Sequence, residues 1–377
     1  MSEEQEMIRD AVREFAASEV APRAEEIDRS DEFPRDLVEK AAELDFLGIV
    51  IPETYGGAGL DHVCFALFVE EIAARSGSLA VILDVHTSVG SEPILFAGTE
   101  EQKRRFLPDM AAGRKLGAFA LTEPDSGSDA ASLKTSAVRD GNGWRLNGTK
   151  TFITNMGVAD LYIVLARTNQ EQRGARGVTA FIVENGADGL EFGRPMEKMG
   201  LHGSPTGEVI LHDVFVPAEN LLGDEGGGFK IAMRALDSGR IGISAQAIGL
   251  ARGAMEVASG YVKERRQFGK AIAEQQAIQF MIADRFTEIE AARIMTLRAA
   301  AECDRGQAFT RLASMAKLFS TDMAMRATVD AVQLLGGYGY IKEFPVERYF
   351  RDAKATQIYE GTNQIQRIVI ARDLLAG

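Results

Sequence analysis

The strongest constraint in this sequence is a change of hydrophobic period along the chain. From Phe229 onward, apolar residues recur at helical spacing, in one long pattern over 229–267 and two more over 278–303 and 312–335. Helices of that length have apolar faces that other helices must cover, so they imply a bundle. The first hundred-odd residues are also helical, in shorter pieces. Met7, Ile8, Ala11, Val12 and Phe15 share one helix face, and Pro22 is expected to break that helix. Phe33-Pro34 opens another, and 64–74 and 93–110 read as further helices. The glycines of 52–60 form a loop without the strand–glycine–helix context of a dinucleotide fingerprint.

Between the helical blocks the pattern shortens. Strand-like runs lie at 116–122, 135–138, 144–146, 150–153, 161–168, 177–184 and 208–216. Asp140-Gly141-Asn142-Gly143 and Asn147-Gly148 are both hairpin signals. No long amphipathic helix interrupts these runs, so an antiparallel β domain is expected. The fold class is therefore α+β: an N-terminal all-α domain over 1–117, a middle antiparallel β domain over 118–222, and a C-terminal α-helical bundle over 223–377.

Composition narrows the partners. The net charge of −13 argues against nucleic acid or an anionic membrane surface, and an anionic ligand would need local Arg or Lys. Cys64 and Cys303 make no disulfide framework, and His62, His86, His202 and His212 lack metal-ligand spacing, so no metal is expected. No window reads as apolar enough for a membrane span, and residues 1–10 lack a signal pattern, so a cytoplasmic protein, or a matured organellar one whose transit peptide is gone, is expected.

Several stretches can carry chemistry. Glu360 lies in a short break between two helical segments, punctuated by Gly361. Thr362 or Asn363 is placed to cap the second segment, with Gln366 completing a box. A carboxylate held there can face a cavity and act as a general base, or it can be a solvated surface acid. Thr122-Glu123-Pro124-Asp125-Ser126-Gly127-Ser128-Asp129 follows a strand end, where hydroxyls and amides can bind a ring edge or an anion; the same residues also make ordinary turns. Alternation along 150–155 puts Phe152 and Thr154 on one face, suited to a flat heteroaromatic ring or to half-buried strand packing. Arg265, Arg266 and Lys270 beside Phe268 suit a pyrophosphate or a helix C-terminus. Gly336-Gly337 after a helix allows close ligand approach or plain helix termination. Asp237 and Arg240 form an i,i+3 pair.

In this order and spacing, the motifs resemble the acyl-CoA dehydrogenase family along nearly the whole chain, most closely its short-chain, butyryl-CoA type. The matches are 122–129, Arg266-Gln267-Phe268-Gly269, Gln333-Leu334-Leu335-Gly336-Gly337 and Tyr359-Glu360-Gly361-Thr362. The resemblance implies an FAD enzyme that oxidises an acyl-CoA thioester to the trans-2-enoyl-CoA. Glu360 would remove the α-proton, and the β-hydrogen would leave as hydride to flavin N5. The enolate oxygen would be held by the Glu360 amide and a ribityl hydroxyl. Electrons would pass to an electron-transferring flavoprotein, in fatty acid β-oxidation. Short, medium or short-branched acyl chains are favoured.

By the same resemblance, Leu121, Thr122, Phe152, Thr154, Thr362 and Gln364 would contact FAD, with Phe152 standing where many relatives carry Trp. Gln333, Gly336 and Gly337 would cradle its ADP half. Arg265, Gln267, Phe268 and Gln276 would reach the FAD of a neighbouring subunit. Ser128, Ser204, Asp237, Arg240 and Gly361 would contact the acyl-CoA. A cofactor completed by two subunits implies a homotetramer built as a dimer of dimers. Isovaleryl- and long-chain relatives place their base at the position of Gly239, which cannot serve here. The competing readings are an acyl-CoA oxidase and a catalytically silent flavin- or CoA-binding assembly protein.

Overall fold

The computed structural model describes residues 1–172 and 174–376; the expected C-terminal boundary, Gly377, lies outside them. The N-terminal part contains helices α1 (Glu3–Phe15), α2 (Ala24–Ser30), α3 (Arg35–Glu43), α4 (His62–Ala73), α5 (Gly77–Asp84), α6 (Glu92–Ala97) and α7 (Glu100–Ala111). Pro22 does not break the first helix. A π-helical turn, Ala16–Val20, and a 3-10 turn, Ala21–Arg23, carry the chain on to α2, so the missing proline N–H falls in the first positions of a new turn. The expected helix over 93–110 is two helices. α6 ends at Gly98, and Thr99 caps α7 in a reciprocal box with Gln102.

The expectation that no window is apolar enough to span a membrane is corrected. α5, a π-helical segment (Val85–Ser91) and α6 form one 21-residue helical run, Gly77–Ala97, that is long and apolar enough. Its physical role here is internal, because 89% of the apolar window is buried inside the protein.

The β domain is an eight-stranded sheet of β1 (Gly117–Ala120), β2 (Ser136–Asp140), β3 (Gly143–Thr154), β4 (Leu161–Arg167), β5 (Val178–Glu184), β6 (Leu190–Phe192), β7 (Thr206–Pro217) and β8 (Leu221–Leu222). The order is β6-β7-β3-β2-β4-β5-β8, with β1 beside β4. Most pairings are antiparallel. The β1/β4 ladder is parallel, as is the single Ser136–Arg167 pair, because the whole β2–β3 hairpin lies between β1 and β4 in sequence. Gly141-Asn142 makes the expected two-residue turn. Asn147-Gly148 makes none: β3 runs straight through it, with a register shift between Leu146 and Gly148.

α8 (Gly228–Glu264), α9 (Gln276–Asp304) and α10 (Thr310–Leu335) form the bundle, followed by α11 (Val346–Thr356) and α12 (Asn363–Leu375). α8 is buried on every side from Asp237 to Ala251. It is the column against which α4, α5, α10 and α11 pack, and it runs past the sheet. Beyond α8 a short ribbon, β9 (Arg266–Gln267) and β10 (Lys270–Ala271), projects outward. Its turn, Phe268-Gly269, is left-handed at both residues.

Candidate active site

The segment between α11 and α12 turns on two consecutive left-handed residues, Glu360 (φ 52°) and Gly361 (φ 91°). For a non-glycine residue this conformation is strained by about 1–3 kcal/mol, so the surroundings must impose it. They do so with buried donors. The Lys317 ammonium, on α10, donates to the Gly361 carbonyl and to Asn363 Oδ1, both at 2.9 Å. Gln366 Nε2 donates to the carbonyls of Gly361 (2.8 Å) and Glu360 (3.2 Å). Asn363 donates to Asp322 at 2.7 Å, and Thr362 Oγ1 accepts the Ile365 N–H as the helix cap. Thr362 is thus the cap, and Asn363 is an anchor buried in the bundle.

Glu360 as a residue is half-buried, but its carboxyl end is enclosed: Oε2 has no solvent contact and no partner. It lies over Gly239 of α8, where an added Cβ would come within 2.1 Å of Oε2. Burial pushes the carboxyl up to about 8, against the opposing pull of Arg240 and Lys317. The Glu360 N–H makes no hydrogen bond within the chain among the described residues. One turn along the same face of α8, Gly242 faces Asp84, whose carboxyl is fully buried. The neighbouring Tyr359 hydroxyl donates to Gln246 Oε1, and Gln246 donates to the Gly77 carbonyl at 2.8 Å.

Asp237 and Arg240 are both buried and paired at 2.5 Å. Asp237 also accepts from Thr310 at 2.5 Å, while Arg240 Nε has no partner. Ser204 is 1% exposed with an unpartnered hydroxyl, in a loop tied to α11 by Asp352 accepting the Leu201 N–H. Ser128 and Gln364 are exposed, and Thr362 is half-buried.

A second group forms at the edge of the sheet. Leu121 and Thr122 follow β1, and the Thr151 N–H donates to the Thr122 carbonyl at 2.9 Å. This ties 122–129 to β3. Beneath them Lys150, fully buried, donates to the Leu121 carbonyl (3.0 Å) and to Glu123 (2.8 Å). Glu123 also accepts the backbone N–H groups of Lys134 and Thr135. β3 shifts register between Lys150 and Ile153, with Phe152 left-handed (φ 57°) and 66% exposed. Phe152 and Thr154 stand on the outer side while Ile153 is buried.

The third group is remote. Arg265, Gln267, Phe268, Gln333, Gly336 and Gly337 line one cleft of about 900 Å³. Gln276 is exposed just beyond it; its neighbour Gln275 lines the wall. Arg240 and Arg265 lie roughly 38 Å apart along the axis of α8, so one ligand cannot touch both Glu360 and this cleft within a single chain. The cleft suits part of an FAD: Phe268 is 96% exposed at the ribbon tip, and nothing of this chain approaches a Cβ built on Gly337. An exposed apolar ring and an open backbone there leave room for a ligand to approach closely.

Sequence reasoning missed Lys150, Glu123, Lys317, Asp84 and Gln246. The one visible signal was Lys317 at helical spacing with Ala313, Ala324 and Ala327, which puts a lysine on the buried stripe of α10.

The N-terminal, middle and C-terminal domains of acyl-CoA dehydrogenases match residues 2–114, 118–214 and 226–375. An acyl-CoA dehydrogenase of Bacillus subtilis is 52% identical over 377 residues, covering 100% of this chain and 99% of its own. The caffeyl-CoA reductase-Etf complex subunit CarC of Acetobacterium woodii is 45% identical, covering 99% of each. The butyryl-CoA dehydrogenase structure from Megasphaera elsdenii superposes with a TM-score of 0.98 at 44% identity, over 100% of this chain and 99% of that one. Enclosed carboxyl, sheet-edge loop and ribbon cleft thus sit within a fold shared end to end, and the chain belongs to the acyl-CoA dehydrogenase family of FAD-binding oxidoreductases.

Proposed function

We propose that this protein dehydrogenates a short acyl-CoA between its α and β carbons, with Glu360 as the base. The observation that carries this reading is the Glu360 carboxyl, enclosed over Gly239 with a free oxygen on a loop fixed by Lys317 and Gln366. An α-proton beside a thioester is weakly acidic. A desolvated carboxylate is a stronger base toward it than one in water, and a carboxyl at about 8 is close to the working pH. The unengaged Glu360 N–H is a donor for the thioester oxygen as negative charge develops there. FAD, when bound, supplies the two-electron acceptor for the β-hydrogen.

The sheet-edge group would hold the flavin ring through Leu121, Thr122 and Thr154, with Phe152 against it. Thr362 and Gln364 would complete the contacts near the base. The ribbon cleft would serve a neighbouring subunit's FAD, which favours a homotetramer. Ser128, Ser204, Asp237 and Arg240 would bind the CoA portion. Electron-transferring flavoprotein is the proposed acceptor, in line with the relative named as part of a reductase–Etf complex. In Glu360→Gln, FAD content and acyl-CoA binding should persist while turnover with a dye acceptor falls by about 10³-fold or more. Near-normal turnover in that variant sinks the assignment.

A further inference from the structure

A second carboxyl stands beside the proposed base, and the fold gives it nothing to do. Asp84, the last residue of α5, is 0% exposed, and neither of its carboxyl oxygens has a hydrogen-bond partner among the described residues. Its oxygen lies 1.9 Å from where a Cβ on Gly242 would sit, as the Glu360 oxygen lies 2.1 Å from a Cβ on Gly239. Those two glycines are i and i+3 on α8, so their Cβ positions are about 5–6 Å apart on one helix face. The two carboxyls are therefore side by side against the same wall.

The groups around Asp84 offer it no cation. Burial, Glu360 and Glu92 each make its ionisation harder; the Ser88 hydroxyl eases it, but that hydroxyl is committed to the Asp84 carbonyl at 2.8 Å. Tyr359 is committed to Gln246. Arg240 bonds Asp237 and Ser314 through Nη1, and Lys317 donates to Gly361 and Asn363; both cations favour the charge of Glu360, and neither is among the groups that act on Asp84. Glu92 shows the contrast: it accepts from Ser238 at 2.7 Å and has His62 at 3.4 Å. Val81 and Val85, the neighbours of Asp84 in sequence, belong to a buried apolar cluster that also includes Ala235 and has Leu236 and Tyr359 packed against it. A plain alkyl chain would find in that wall a desolvated acid that it cannot satisfy, at a cost of about 1–3 kcal/mol.

We propose that Asp84 is the specificity residue of the acyl pocket and that it selects an acyl-CoA carrying an amino group on its γ carbon. This rests on Glu360 acting at the α-carbon. With the α-carbon at Glu360, a γ-ammonium reaches the second carboxyl one helical turn away. An ammonium is the donor that best satisfies a buried carboxylate, through charge-assisted hydrogen bonds.

The test uses the FAD-loaded protein and a dye acceptor, with γ-aminobutyryl-CoA, γ-hydroxybutyryl-CoA and butyryl-CoA as probes. The expected kcat/KM for the amino substrate exceeds that for butyryl-CoA by about tenfold or more, a modest figure for a site that bonds a polar group. Asp84→Asn and Asp84→Leu should reverse this order, with Leu giving the larger gain for butyryl-CoA. Dissociation constants measured on Glu360→Gln, which binds without turnover, should follow the same order. A wild-type preference for butyryl-CoA that neither variant changes overturns the role of Asp84 while leaving dehydrogenation intact. A preference for the hydroxy substrate overturns the cationic assignment. A flavin-loaded protein that oxidises no acyl-CoA at all defeats the dehydrogenase reading, and binding to Glu360→Gln then judges Asp84 alone.

Discussion

Two lysines, both at 0% exposure, hold the two loops of the site, and they do it differently. Lys150, in the sheet, faces a carboxylate. Burial pulls its ammonium down to about 8 while Glu123 opposes the fall, and Glu123 itself is kept low by Lys150 and backbone N–H groups despite its own burial. Lys317, in the bundle, faces a backbone carbonyl and an amide oxygen. Burial takes it to about 7, Glu360 pulls it back up, and Arg240 pushes it down. Lys150 is half of an ion pair that organises a loop. Lys317 has no acid in hydrogen-bond contact among the described residues; the acids it senses are the proposed base first and Asp322 after it. The ion pair that holds a loop and the cation beside the proposed base are thus separated between the domains.

The largest expected effect breaks the structural half. Lys150→Met strands Glu123 in the interior and should cost about 3–5 kcal/mol in denaturant unfolding, with FAD content falling alongside. A loss below about 1 kcal/mol would erase the distinction between the lysines. Next comes Gly239→Ala, which touches neither lysine. Its Cβ displaces the Glu360 carboxyl, so kcat should fall by about 10²-fold while thermal stability changes little. Lys317→Met leaves no acid in a broken hydrogen bond and should cost only about 1–3 kcal/mol, yet it frees the loop and should lower kcat more than Lys150→Met does in molecules that retain FAD.

The smallest effect is the most discriminating. The free enzyme's kcat/KM should rise with pH through about 8, because Glu360 must be ionised to accept a proton. Lys317 holds the Glu360 carboxyl down, so Lys317→Met should shift that limb upward. Lys150→Met should leave it in place. Stability carries the opposite sign: folded Glu360 keeps its proton above its ordinary value of 4.5, so its contribution falls as pH rises from there to about 8. Glu360→Gln should flatten that slope in pH-dependent unfolding.

The sequence carried the frame because the frame is periodic. The three long helices appear within a few residues of where the apolar spacing puts them, and Gly361 punctuates the turn at Glu360 as a glycine there should. Local signals misled where tertiary packing overrode them. Pro22 was absorbed by a change of helix type, and Asn147-Gly148 became a register shift because β7 pairs on both sides of it. Lys150 and Asp84, and the partners of Lys317, were illegible for a different reason. Whether a buried charge has a partner depends on chain segments far away in sequence, and no local pattern records that. Lys317 and Gly361, for example, meet only because α10 and α12 pack together.

The length of α8 has one more consequence. The same rigid helix carries Gly239 beneath the base and ends at the ribbon, so it fixes the phase as well as the distance between two sites. One residue inserted between them would lengthen the helix by about 1.5 Å and swing the ribbon through about 100°. The chain would still fold around each end, but its ribbon would be turned away from the neighbouring copy proposed above. α8 thus acts as a gauge, and the proposed assembly is the reading that gauge permits.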